Sequence, residues 1–153
     1  MRLETFRNAD AFLRTAKSEL LANEALTSLI FGIAIRLRDG HTFGDEPPFL
    51  SCVTDGDRVV AIATRTPPHN LLLHAVESNG APLGLVADHL GEAGATLRGV
   101  HGRTEVAGQF AETWERVTGA AWELPMRQRL YKLTAVSAPD SVPGRLRPAT
   151  ERE

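Results

Sequence analysis

The stretch FLSCVTDGDRVVAIATRTPPHNLLLHAV, residues 49–76, decides the fold. Phe49 to Thr54 and Arg58 to Thr66 are β-prone runs, and Asp55-Gly56-Asp57 between them is a hairpin signal, since glycine supplies the backbone freedom a tight turn needs. Pro67-Pro68 interrupts the second run. Neither proline has an N–H to give to a ladder, so one strand ends there and another starts beyond it. Leu71 to Val76 is that next strand, and its continuous leucine run suits a central position better than an edge.

The flanks of this meander alternate in period. Met1 to Phe6 can form a first strand, followed by Asn8 as a helix N-cap with Asp10 in the first turn. Phe12, Leu13, Ala16, Leu20 and Leu21 then share a helical face. A second helix is expected from Asn23, with Leu26, Leu29, Ile30, Ile33, Ala34 and Leu37 at helical spacing and Asp39-Gly40 as its stop. After the meander, Ser78-Asn79-Gly80 makes a turn, Pro82 fits a first helical position, and Leu83, Val86, Ala87 and Leu90 form a stripe. Gly99 to Arg103 reads as a short strand, and Val106, Phe110, Trp114 and Val117 mark a helix stopped by Gly119. Trp122 to Val136 is the last extended run, with Arg127, Arg129 and Tyr131 on one face and Gln128, Leu130 and Lys132 on the other. Ser137 to Gly144 has linker composition. The expected class is α/β, in the order β-α-α-β-β-β-α-β-α-β. The sheet should be mixed and mostly antiparallel, with helices on both faces. Residues 1–136 form the domain, and 137–153 read as a linker with the start of a second domain.

Composition narrows the function classes. The 153 residues carry a net charge of −2, which gives no reason to expect a nucleic acid or an anionic membrane as partner. The single Cys52 rules out an intrachain disulfide and a multi-cysteine metal site. No apolar run approaches the roughly 18 residues of a membrane helix, and no signal-peptide core follows Met1 to Asp10, so a cytoplasmic location is expected. Almost all basic residues are arginine, which reflects a GC-rich genome more than a function.

Several local motifs resemble one family. Arg65-Thr66-Pro67-Pro68-His69-Asn70-Leu71 resembles a stretch in the N-terminal domains of bacterial two-domain acetyltransferases of the GNAT superfamily. Three further landmarks follow in the same order: Gly99-Val100-His101-Gly102, then Phe110-Ala111-Glu112-Thr113-Trp114 ending at Gly119, then Arg129-Leu130-Tyr131-Lys132-Leu133. Pro143 to Thr150 looks like the linker and opening strand of a second, catalytic GNAT domain. The resemblance implies a GNAT-like acyl-CoA N-acyltransferase fold and acetyl-CoA as the family's donor. The partner it implies is a catalytic GNAT domain or a second copy of the chain.

Against that resemblance, the local chemistry is thin. The family's pyrophosphate cradle is a glycine-rich turn led by Arg or Gln, whereas the matching turn here runs from Glu77 to Gly84. Asn79, Gly80 and Gly84 are its candidate cofactor-binding residues, but Glu77 brings the wrong charge and Pro82 removes an amide donor. The tyrosine that serves the family as general acid, four residues before the closing glycine, is matched by Glu115. No catalytic residue can therefore be assigned, and the chain alone is expected to bind acetyl-CoA weakly or not at all. Asp45, Glu46, His69 and Tyr131 are the candidates for a substrate or domain interface. His69 and His74, five residues apart, should point to opposite faces of a regular strand and share no metal. The expected role is the substrate-shaping or regulatory half of an N-acetyltransferase. The alternatives are a self-sufficient enzyme with a non-standard CoA site, and a protein-interaction module.

Overall fold

A computed structural model describes residues 1–77 and 80–137, and beyond them 141, 143, 144, 147 and 148. The elements run β1 (Arg2–Thr5), α1 (Ala9–Ala22), α2 (Glu24–Arg38), β2 (Phe49–Asp55), β3 (Arg58–Arg65), β4 (Leu71–Ala75), α3 (Gly80–Glu92), β5 (Val100–His101) and α4 (Thr104–Thr118). The five strands make one sheet in sequential order. The first three ladders are antiparallel and the last, β4 with β5, is parallel. A mixed, mostly antiparallel sheet in an α/β chain is thus what residues 49–76 and their flanks produce.

The β2–β3 hairpin turns where expected. Asp55 pairs with Arg58, and Gly56 between them takes φ +58°, a left-handed value that side chains with a Cβ resist. Register then sorts the side chains. Leu50, Thr64 and Leu72 stand in line across β2, β3 and β4, and β5 places His101 opposite Leu72. Cys52, Ile62 and His74 form the next row on the same face. That face receives α1 and α2 through Phe12, Ala16, Leu20, Ile30 and Ala34. The other face presents Val53, Ala61, Ala63, Leu71, Leu73 and Ala75 to α3 and α4, which bury Leu83, Val86, Leu90, Phe110 and Trp114 against it. The result is three layers with the sheet in the middle. β4, paired on both edges with β3 and β5, is the interior strand its leucine run implied.

Helix ends follow local chemistry. The Asn8 side chain caps α1 by accepting from the Ala11 N–H at 2.9 Å. Asn23 closes α1 and opens α2, and its side chain turns back to donate to Glu19 Oε1 at 2.7 Å. The Thr27 hydroxyl staples this corner by donating to the Leu20 carbonyl at 2.6 Å. Gly119 ends α4 in the left-handed region, φ +75°, with its N–H on the Glu115 carbonyl. Pro82 is the third residue of α3, not its first.

Two strand expectations need correction. β5 holds only Val100–His101, because Gly102 already lies against β4 and Thr104 begins α4. A Cβ on Gly102 would stand 2.9 Å from the Leu73 carbonyl oxygen, so only glycine makes this approach without displacement. The run from Trp122 to Val136 is not a strand. It is without regular structure and exposed throughout. A strand needs an edge to pair with, and a two-residue β5 offers too few backbone groups to hold a run of that length. The linker and second-domain strand expected at 137–153 fall largely outside the described residues, since 138–140, 142, 145, 146 and 149–153 are not among them.

Candidate functional site

α1 packs over β2 and β3 while α2 leans on β4, so the sheet face beyond α2 has no helix above it. The space left there is a cleft of about 750 Å³, within the usual range for a small-molecule site. Its floor is the row Thr64, Leu72 and His101, and the Pro68-His69-Asn70 segment leading into β4 closes one end. Its wall is the α2 face carrying Ser28, Leu29, Gly32, Ile33 and Arg36, spaced so that they fall on one side of a helix. Phe43, Arg98 and Gln128 complete the rim.

The cleft's charge has one sign. Arg36 of α2 and Arg98, two residues before β5, both line it, and none of the described residues lining the cleft is acidic. Among the described residues no carboxylate lies within ion-pair distance of either guanidinium. Asn70 Nδ2 lies 2.9 Å from His101 Nε2 and ties the β4 entry to β5. At the floor, the Thr64 hydroxyl is buried and has no hydrogen-bond partner among the described residues. A buried hydroxyl without a partner loses the hydrogen bonds it had in water.

The sequence candidates scatter. His69 lines the cleft. Asp45 and Glu46 line a second hollow of about 280 Å³ under the 41–48 loop, which touches the cleft through Phe43 and Thr66. Tyr131 is 79% exposed and lines neither hollow. The opposite-face expectation for His69 and His74 is also corrected. His69 precedes β4 in a turn closed by its N–H on the Thr66 carbonyl, so strand alternation does not reach it, and both histidines serve the α1–α2 side. They remain apart. His74 is buried beneath α1, its Nε2 2.9 Å from Glu19 Oε1, and that pair fastens α1 to β4. Among the described residues no three His, Cys, Asp or Glu side chains gather in a way that could hold a metal ion. Cys52 is fully buried, and burial, with the nearby Glu4 charge second, pushes its thiol from 9.0 up to about 12. It is no nucleophile at neutral pH.

The α3 entry is a poor fit for a pyrophosphate. Asn79 lies outside the described residues. Gly80 opens α3, and Gly84 sits inside it with open space where a Cβ would be. Pro82 in the first turn has no N–H to offer, and the first turn has no basic residue. The described donors do not make an anion cradle there.

Local pattern singled out His69, gave Asn70 and His101 only as parts of landmarks, and left Arg36, Thr64 and Arg98 unmarked. Arg36 is one of two basic residues in the last turn of α2, an ordinary place for a cation, and Arg98 sits in a loop. Only the stacking of α2 on β4 and the parallel β4–β5 pairing bring residues 36, 64, 98 and 101 to one place. Comparison with protein-family models, curated proteins and solved structures finds no match for this chain. Among the described residues no helix is long and apolar enough to cross a membrane.

Proposed function

We propose that this chain is a GNAT-type domain that shapes the acceptor side of an acetyl-CoA-dependent N-acetyltransferase without performing the transfer itself. The element order and the parallel β4–β5 pair support the GNAT-type reading. One observation carries the role. Gln128 belongs to the exposed run after α4 and yet lines the cleft. Trp122, Leu124, Met126, Leu130, Tyr131, Leu133 and Val136 of that run are all exposed. Apolar exposure on this scale marks a surface that another unit covers. A catalytic domain seated on the run would close the cleft at the same time and would supply the phosphate cradle that α3 lacks.

Each missing charge-assisted hydrogen bond is worth on the order of 1.5–3 kcal/mol, so the absent basic lead and amide weaken acetyl-CoA binding by roughly two to four orders of magnitude. Calorimetric titration of acetyl-CoA into the chain tests this: no saturable heat at micromolar concentration is expected. Micromolar binding, or release of CoA thiol when an amine is added, would establish the self-sufficient enzyme instead. The exposed run also favours a second reading, an interaction module that pairs with its own copy by adding this segment to a sheet edge. A concentration-independent dimer by light scattering, with no affinity for acetyl-CoA, would select it.

A further inference from the structure

The geometry points to the cleft as a binding site for a small organic carboxylate, its anionic head between Arg36 and Arg98 and its apolar body against Leu29, Ile33, Phe43 and Leu72. This assignment concerns the chain alone and does not rest on the acetyl-CoA reading. Three observations converge on it. First, two arginines line one hollow with no carboxylate in ion-pair distance of either among the described residues, and a planar fork of donors is the group that recognises carboxylates. Second, the cleft floor includes Thr64, whose hydroxyl is 1% exposed and unpartnered among the described residues, so an unmet polar atom lies just beneath the space a ligand would fill. Third, Gly32 sits within α2, where glycine costs helix stability, and a Cβ there would meet nothing within 4 Å. Packing does not require this glycine, and its effect is to keep the cleft wall open.

The same features argue for a carboxylate over a phosphate. Phosphate sites draw on free backbone N–H groups at a helix N-terminus. Here α2 offers its middle and its last turn, the end that carries partial negative charge, and Arg36 is the cation of that turn that lines the cleft. A monoanion with an apolar body matches such a wall better than a hydrophilic dianion does. An ammonium group would meet two positive charges, so the cleft receives a molecule by its acid group, and an amine acceptor would present its carboxylate to the cleft and its nitrogen away from it.

The test is an NMR titration of the labelled chain with phenylacetate, with uncharged phenylacetamide and inorganic phosphate as parallel arms. Saturable shifts from phenylacetate at the amides of Thr64, Leu72 and His101 are expected. Phenylacetamide should bind about tenfold more weakly or worse, as should phenylacetate to Arg36→Gln or Arg98→Gln. Gly32→Leu, which fills the wall, should abolish the shifts. Both arginine changes are at exposed positions and leave the core untouched, so they decide the matter even if Gly32→Leu fails to fold. No saturation by phenylacetate, equal affinity for the amide, or indifference to both arginine changes would overturn the assignment. Tighter binding of phosphate than of phenylacetate would overturn it in favour of a phosphate site. Any of these leaves the acetyl-CoA titration to be judged on its own result.

Discussion

Two buried side chains have measurable consequences of opposite kinds. The Cys52 thiol keeps its proton up to about 12 in the fold, where the unfolded chain releases it near 9.0. Between those values the unfolded state binds fewer protons, so stability is intact below about 9 and falls as pH rises toward 12. Urea melts across that range should show the decline, and Cys52→Ala should remove its share of it. The native thiol should also resist maleimide at neutral pH and react on unfolding. Thr64 carries the contrary cost, a buried hydroxyl that no described group satisfies. Thr64→Val keeps its shape and removes the unmet polar atom, so it should raise stability by about 1 kcal/mol in denaturant melts.

At the scale of elements, two glycines of identical sequence appearance should respond with opposite signs. Gly32 lies exposed in α2, and a methyl group there meets open space. Gly32→Ala should therefore stabilise the chain by about 1 kcal/mol through helix propensity alone. Gly102 lies between β5 and α4, and a methyl group would press on the Leu73 carbonyl at 2.9 Å, a backbone atom that cannot turn aside. Gly102→Ala should cost about 1–3 kcal/mol, by moving β5 away from β4. Thermal melts of both variants in one buffer check the pair. Because β5 supplies His101 to the cleft, the second variant should also disturb the Asn70–His101 contact, read as a shift at both side chains by NMR.

For the whole molecule, the described residues after Gly119 contribute exposed side chains and no strand, while the core closes without them. Truncation after Ala120 should leave the unfolding free energy within about 0.5 kcal/mol of the parent, as for other surface changes, and should reduce self-association in light scattering. A loss of several kcal/mol would mean that the run belongs to this core. Local pattern was enough to read the hairpin at Asp55-Gly56, the break at Pro67-Pro68, the caps at Asn8 and Gly119 and the central leucine strand, because turns, caps and periodicity act between residues a few positions apart. Pattern also promised a strand from Trp122 to Val136, and there it misled, since β-propensity states what a segment can do only when an edge is present to receive it. The cleft was legible in one residue, His69. Its cations, its unpartnered Thr64 and its open Gly32 lie from 32 to 98 in the chain, and they meet only because α2 stacks on β4 and β5 returns parallel to it. Sequence alone determined the elements and most of their ends through short-range chemistry; the tertiary structure decided which strand lacked an edge and which distant charges share a cavity, since both depend on contacts between residues that no local pattern relates.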